Sequence, residues 1–272
     1  MKKHIIDVIK QIEIDYDVKV LFACESGSRA WGFPSKDSDY DVRFIYIHKP
    51  EWYLSIDQKR DVMEIPAKHS ISIPVDPLLD MSGWELTKAL RLLRKSNPSI
   101  LEWFASPIVY DQSFSVVDRM KELEQKLFSP VASLHHYVNM AKGNFRHHEE
   151  GGIKDYLNVL RPLLAALWIE KYHASPQLEF QKLVEDLLPP GEVKDVVALL
   201  VKRKIAGEEK NLEPWPGVMN GYVSETIQHL ETYVKSLKID RPDPTEELDR
   251  LFRNVLREVW NEEWADFVGG TC

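Results

Sequence analysis

The chain has 272 residues, 44% of them hydrophobic and 29% charged, which is typical of a globular protein with one large core or two modest ones. Its formal net charge of −8 at pH 7 argues against a broad nucleic-acid-binding surface but leaves room for a local basic patch. The two cysteines, Cys24 and Cys272, suggest neither a disulfide framework nor a zinc site. No apolar run approaches membrane-spanning length and the start resembles no secretory leader, so we expect a cytoplasmic protein.

The first part of the chain predicts alternating helices and strands. Apolar residues at helical spacing between Ile5 and Ile12 predict a first helix. Strands are expected at 18–24 and 41–48, with a glycine-containing turn and a short helix near 27–31 between them. The segment 51–73 predicts a loop with a weak strand at 71–73. A short strand at 78–80 then leads into a helix that begins with a capping box, Ser82 to Glu85, and is stopped at 96–98.

From about residue 115 the pattern becomes almost wholly helical. We expect helices near 115–127, 131–149, 153–172, 177–188, 191–209, 221–238 and 244–266, separated by breaks that contain proline or glycine. The predicted fold class is therefore α+β. An N-terminal α/β domain with a small mixed sheet is expected over residues 1–125, followed by an all-α helical domain over 126–272.

Two short motifs at strand ends indicate a functional site. Gly27 and Ser28 follow the first apolar run, and Asp39 and Asp41 flank Tyr40 at the head of the second. Alternate residues of a strand share a face, so the two carboxylates point the same way and repel each other unless a cation lies between them. Gly27 and Ser28 offer close backbone approach and N–H donors to an anion. The two carboxylates can bind a cation, and the Gly27-Ser28 turn beside them, which we call the anion cradle, can bind an anion. Together they predict a nucleotide phosphate site with Mg²⁺.

The residues around these motifs resemble the polymerase-β-like nucleotidyltransferase superfamily. Its signature is similar to the stretches ESGSRAWG at 25–32 and SDYDVR at 38–43. More narrowly, the chain resembles the bacterial predicted nucleotidyltransferases that are sometimes encoded beside RNA ligases. That likeness extends over most of the chain, through residues 52–54, 80–86, 88–90, 96–98, 101–103, 106–110 and 156–165.

The resemblance implies an enzyme that moves an NMP from an NTP to an acceptor hydroxyl and releases pyrophosphate. Two Mg²⁺ ions would be held by Asp39, Asp41 and a third carboxylate from a neighbouring strand. Asp80 is the predicted third ligand, because it ends an apolar trio and occupies the matching place in the family's pattern. Asp76 is the competitor, although the following Pro77 indicates a turn.

The nucleotide itself would be bound by residues from both parts of the chain. Arg43 lies two residues beyond Asp41, on the same strand face, which allows it to pair with a carboxylate or to contact phosphate. The resemblance places a later helix over the nucleotide, although interdomain salt bridges and packing are the alternative for that helix. The predicted nucleotide-binding residues are Gly27, Ser28, Arg29, Ser38, Arg43, Lys154, Tyr156 and Arg161.

The acceptor is left open by the sequence. An RNA end is suggested by the RNA-ligase association of the resembled family, but a protein hydroxyl or a small molecule would use the same chemistry. The alternative function is a nucleotide-binding interaction or regulatory protein, antitoxin-like or a sensor, with little turnover. Intact Asp39 and Asp41 argue against a pure sensor, because binding alone needs no paired metal carboxylates. The base preference and the oligomeric state also stay open.

Overall fold

A computed structural model describes residues 1–146, 152–208, 217–238 and 243–260. Its strands are β1 (Val18–Glu25), β2 (Tyr40–His48), β3 (Val62–Ile65), β4 (Leu79–Glu85) and β5 (Val109–Gln112). Its helices are α1 (Lys2–Tyr16), α2 (Gly27–Trp31), α3 (Pro50–Tyr53), α4 (Leu86–Arg94), α5 (Pro98–Ala105), α6 (Val116–Leu127), α7 (Pro130–Arg146), α8 (Ile153–Tyr172), α9 (Phe180–Leu187), α10 (Glu192–Ile205), α11 (Gly217–Ser236) and α12 (Thr245–Val259).

The strands form one mixed sheet in the order β3-β4-β2-β1-β5. Neighbouring strands are antiparallel except for the central pair β2 and β4, which run parallel. Parallel strands need a crossover connection, and the long segment 49–78 between β2 and β4 provides it. The sheet confirms the small mixed sheet that the predicted α+β class includes.

Each face of the sheet is covered by helices. Alternate residues of β2 divide between the two faces: Val42 and Phe44 pack with α1 residues such as Ile5, whereas Ile45 and Ile47 pack with α4, α5 and α6. The second face also buries α12, whose apolar residues join that core. The predicted boundary at residue 125 remains a prediction, although α12, far beyond it, packs against the sheet.

Helices α7 to α11 build a separate core, and we call them the helical bundle. Its centre is α8, whose buried residues include Leu160, Leu163 and Ala166. Phe33, from the loop between α2 and β2, also belongs to this core and meets Phe180 edge to face, with 5.4 Å between ring centroids. The loop that leads to Asp39 is thereby anchored on the bundle. Among the described residues, no helix is long and apolar enough to cross a membrane.

The predicted strand at 71–73 is wrong. The segment 71–73 is a loop. It is hydrogen-bonded to α1, because the Ser72 amide donates to the Asp15 carboxylate over 2.6 Å. The longer segment 49–78 instead supplies β3, which pairs antiparallel with β4, and the short helix α3.

The predicted capping box at Ser82 to Glu85 is also wrong, because β4 continues through these residues to Glu85. Gly83 fits into the sheet because it has no side chain, whereas a Cβ there would lie 2.2 Å from the ring of Phe44 on β2. The helix α4 begins at Leu86, four residues after the predicted cap Ser82. Its cap is Glu85, whose carboxylate accepts from the Thr87 amide over 2.8 Å.

The other predicted elements are present within the described ranges. The first helix, the two strands at 18–24 and 41–48 and the short helix near 27–31 occur with shifts of a residue or two. The helices expected in the second part of the chain occur as α6 to α12, with α11 beginning at Gly217 rather than at 221. The predicted ends at 147–149, 209 and 261–266 lie outside the described residues.

Candidate active site

The short helix α2 begins directly against β2. The Ser26 amide donates to the main-chain oxygen of Asp41 over 2.8 Å, which ties the end of β1 to the start of β2. Gly27 follows with a φ of +60°, and a Cβ at this position would lie 2.2 Å from Oδ2 of Asp41. Glycine is therefore required on two counts, backbone conformation and close approach. It brings the Gly27-Ser28 turn to the carboxylate of Asp41.

The parallel register of β2 and β4 places Asp41 opposite Asp80. Two carboxylates on one face of adjacent strands repel each other. Arg43 relieves that repulsion, since its Nη2 donates to Oδ1 of Asp41 and to Oδ2 of Asp80, each over 2.9 Å. Its Nη1 donates to the main-chain oxygens of Val42 and Asp80, both over 3.1 Å. The guanidinium thus lies between the two predicted metal ligands.

Glu25 holds the main chain at Asp41 in place through a hydrogen bond. It is the last residue of β1 and fully buried, and its Oε1 accepts from the Asp41 amide over 2.8 Å. Its other carboxylate oxygen accepts from the hydroxyl of Tyr110 on β5. A buried acid is costly unless it is hydrogen-bonded, so both partners are needed. Glu25 therefore fixes the main chain at Asp41.

The electrostatics of the carboxylates follow from burial and from their neighbours. Burial raises the pKa of Asp41, which Arg43 opposes; Asp80 and Asp39 raise it further and Lys154 lowers it. Burial also raises the pKa of Glu25, and the hydrogen bonds from Tyr110 and from the Asp41 amide oppose that shift. The cluster has an excess of negative charge that one arginine does not balance, and it favours a further cation.

Asp39 lies in the loop immediately before β2, and Arg29 holds that loop. The guanidinium of Arg29 donates to the main-chain oxygens of Ser38 over 2.7 Å and of Asp39 over 3.0 Å, and it stacks 3.7 Å from the centre of the Tyr40 ring. Ser38 is buried, and its hydroxyl accepts from the Ser35 amide over 2.9 Å. In this structure Arg29 and the Ser38 hydroxyl position the Asp39 loop.

Two cavities meet at Arg43, between the sheet and the helical bundle. The first has a volume of ≈ 330 Å³ and contains most of the predicted phosphate-binding residues. The second has a volume of ≈ 230 Å³ and is walled by Trp84 and Trp103, which stack with 3.9 Å between ring centroids. Both cavities share Ser26, Trp31, Arg43 and Asn158. The first cavity is lined by Gly27, Ser28, Ser38, Asp39, Asp41, Lys154 and Lys204, among others.

Arg161 lies at the second cavity rather than at the first, and its side chain is 2% exposed. It pairs with Glu102 of α5 over 3.4 Å. Glu102 also accepts from the Tyr137 hydroxyl over 2.8 Å and from the Trp31 indole over 3.2 Å. This network joins α2, α5, α7 and α8, as expected for the salt-bridge alternative for this helix, and nucleotide binding by Arg161 stays a prediction.

The other predicted residues differ in whether they line a cavity. Lys154 is exposed and lines the first cavity, whereas Tyr156 is buried in the helical bundle and lines neither cavity. Asp76 forms a turn, since its carboxylate accepts from the Leu78 amide over 2.9 Å. Sequence reasoning missed Lys204, which is buried at the first cavity, because nothing distinguishes it within the basic run at 202–204.

The donor set at this site fits a divalent cation. Carboxylate oxygens are hard ligands suited to Mg²⁺, and Asp41 and Asp80 already converge on one positively charged group. Among the described residues, no group of three or more histidine, cysteine, aspartate or glutamate side chains is arranged to hold a metal ion. Asp41 and Asp80 would hold an ion once Arg43 moves aside, with Asp39 close by in the first cavity.

The motifs and the match to a family model place the chain in the polymerase-β-like nucleotidyltransferase superfamily. A family model described as the RNA repair pathway DNA polymerase beta family (RlaP) matches residues 1–254, and the chain belongs to this family.

Two further similarities accompany the family match. The chain is 46% identical over 265 residues to "Uncharacterized protein YcgL" of Bacillus subtilis (strain 168), covering 96% of this chain and 99% of that protein. It also aligns with the crystal structure of a nucleotidyltransferase-like protein from Exiguobacterium sibiricum 255-15, at 13% identity, over 93% of this chain and 80% of that one. The TM-score of that alignment is 0.27, too low to carry an argument.

Proposed function

We propose that the protein is a Mg²⁺-dependent nucleotidyltransferase that moves an NMP from an NTP to an acceptor hydroxyl and releases pyrophosphate. The observation that carries this proposal is the meeting of Asp41 and Asp80 across the parallel strands, beside the Gly27-Ser28 turn. Carboxylates held next to an anion cradle suit a reaction in which charge develops on phosphoryl oxygens.

The first cavity would bind the triphosphate. Ser28 provides a hydroxyl, Gly27 allows close approach of the main chain, and Lys154 and Lys204 add positive charge on the side of the helical bundle. Binding the phosphates between the sheet and the bundle orients the α-phosphorus towards Asp41 and excludes bulk water from it. Arg29 would act indirectly, by holding the loop that carries Asp39.

Asp39, Asp41 and Asp80 would hold the divalent ions. Bound there, the ions supply the charge that stabilises the attacking and leaving oxygens. The carboxylate of Asp80 is 53% exposed and is not among the residues that line the two cavities. An acceptor hydroxyl that arrives from solvent would meet this carboxylate, which is placed to accept its proton.

An RNA end is the acceptor that we favour. The family's description names an RNA repair pathway, and the exposed carboxylate of Asp80 would leave room for the end of a polymer. The second cavity, with its tryptophan wall and the buried side chain of Arg161, suits a planar base, because aromatic faces stack on bases of every kind.

The test is transfer of α-phosphate-labelled NTPs, one at a time with Mg²⁺, into a mixture of cellular RNA, protein and small molecules. Asp39→Asn/Asp41→Asn is the blank, because it removes two carboxylates while keeping their shape. Label incorporated by wild type only would support the enzyme, and the labelled fraction would identify the acceptor class. No label in any fraction, with nucleotide still bound, would contradict it.

One observation favours a second function. Arg43 already neutralises part of the charge of Asp41 and Asp80, so that a nucleotide could bind beside them without a divalent ion, as in a regulatory protein. Such a protein would bind NTP without needing a divalent ion and would transfer nothing. Calorimetric titration of ATP with and without Mg²⁺ separates the two functions, since only the transferase needs the ion at the carboxylates.

A further inference from the structure

We propose that Arg43 is a built-in counter-ion that competes with the divalent metal for Asp41 and Asp80 and moves to the nucleotide phosphates when the metal binds. The proposal rests on the proposed function, because it concerns the same carboxylates. It assigns Arg43 as a positioning residue that weakens the binding of metal and strengthens the binding of nucleotide.

The competition follows from the oxygens that Arg43 uses. Its Nη2 lies 2.9 Å from one oxygen of Asp41 and 2.9 Å from one oxygen of Asp80. A divalent ion that bridged the two side chains would require the same converging space, at oxygen distances of about 2.1 Å. A guanidinium and a dication side by side repel each other, so one displaces the other.

From its position on β2, the Arg43 side chain could exchange its carboxylate partners for a phosphate. It comes from the strand face that carries Asp41, and it lines both cavities, with 20% of its side chain exposed. Its main-chain acceptors, the carbonyl oxygens of Val42 and Asp80, are neutral and bind it only weakly. A phosphate in the first cavity offers a charge-assisted partner in their place.

The arrangement explains why the carboxylates stay in place before substrate arrives. Like charges at register-paired positions would otherwise splay apart or take up protons. With Arg43 between them, Asp41 and Asp80 keep their spacing. An NTP that arrives with its metal would replace the Arg43–carboxylate pairs by metal–carboxylate pairs and an Arg43–phosphate pair. Metal without nucleotide is expected to bind weakly, because it must displace Arg43 without giving the guanidinium a new partner.

The experiment is a titration of Mn²⁺ alone, followed by electron paramagnetic resonance of the free ion, on wild type and Arg43→Met. Methionine keeps much of the arginine stem and removes the charge. We expect the Mn²⁺ dissociation constant to fall by about tenfold or more in Arg43→Met, because a competing cation has gone. In the same variant the affinity for a non-hydrolysable ATP analogue with Mg²⁺ should fall by about tenfold, because a phosphate partner has been lost.

Lys154→Met is the matched control. Lys154 also lowers the pKa of Asp41 through its charge and lines the first cavity, but within the described part of the chain no hydrogen bond joins it to Asp41 or Asp80. Its Mn²⁺ affinity should change by less than about threefold, since it does not occupy the space of the ion. Arg43→Lys, which retains a positive charge, should lack the gain in Mn²⁺ affinity expected of Arg43→Met.

An unchanged or weaker Mn²⁺ affinity in folded Arg43→Met overturns the proposal, as does an equal gain in Lys154→Met. A structural role alone would weaken metal and nucleotide binding together, which the opposite signs exclude. The titration involves no transfer, so its failure is distinct from a failure of wild type to move labelled NMP.

Discussion

Gly27 and Asp41 lie so close that a methyl group on Gly27 would sit 2.2 Å from Oδ2 of Asp41. Sequence separates them by fourteen residues, and the hydrogen bond from the Ser26 amide to the Asp41 carbonyl oxygen brings them together. The Gly27-Ser28 turn, the proposed anion site, and Asp41, a proposed metal ligand, therefore form one rigid unit. The carboxylate of Asp41 is held beside the turn on which we propose that the phosphates bind.

Gly27→Ala should abolish most transfer. The new Cβ would displace the Asp41 carboxylate, and misplacement of a catalytic group by about 1 Å costs roughly 100-fold in rate. Gly32→Ala is the control, since Gly32 also has a positive φ, +95°, but no described atom lies within 4 Å of the position that its Cβ would take. It should lose about 1–2 kcal/mol of unfolding free energy to backbone strain and little activity. Equal activity in the two variants would contradict the close approach.

Asp39→Asn, Asp41→Asn and Asp80→Asn should each reduce transfer roughly 100-fold or more, because each removes a negatively charged ligand. Asp76→Asn should stay near wild type, because an amide oxygen can still accept from the Leu78 amide in the turn. Initial rates of labelled NMP transfer measure both effects. If Asp76→Asn is inactive and Asp80→Asn is not, Asp76 is the third ligand.

Glu102→Gln should destabilise the protein by about 3 kcal/mol, because it leaves the buried guanidinium of Arg161 without a counter-charge. The double variant Glu102→Gln/Arg161→Met should recover part of that loss, since it removes the unpaired charge as well. Urea unfolding of the four proteins in this cycle measures the coupling. Additive losses would show that the two side chains act independently.

Glu25→Gln should change how stability depends on pH. Burial raises the pKa of Glu25 above its usual 4.5, so the folded state holds the proton more tightly than the unfolded state does. Its stabilising contribution is complete below pH 4.5 and is lost as the pH rises through the folded pKa. Relative to wild type, the free energy of unfolding of Glu25→Gln should therefore rise with pH over this window. A constant difference between the two proteins would indicate an unshifted pKa.

Local features were predictable from the sequence, and long-range ones were only partly so. The order of Gly27, Ser28, Asp39 and Asp41 marks the site because a tight turn and the alternation of side chains along a strand can both be read from neighbouring residues. The pairing of Asp41 with Asp80 depends on a parallel register across a crossover, and Asp80 was predicted only from its place at the end of an apolar trio and from the family resemblance.

Two features that the sequence did not show have the same physical origin. Ser82 to Glu85 has the local chemistry of a helix start, but Gly83 packs under Phe44 and keeps these residues in the sheet. Arg161 was predicted to bind the nucleotide, and the sequence could not show that Glu102 of α5 would pair with it. Tertiary contacts decided both outcomes.

The most direct test of the central claim is a paired reaction with ATP labelled at the α- or at the γ-phosphate, using an RNA with a free 3′ hydroxyl and Mg²⁺. Attack at the α-phosphorus, beside Asp41 and Asp80, predicts that the α-label enters the RNA, the γ-label leaves as pyrophosphate, and Asp41→Asn transfers neither. Entry of the γ-label, or equal incorporation by Asp41→Asn, would contradict nucleotidyl transfer at this site.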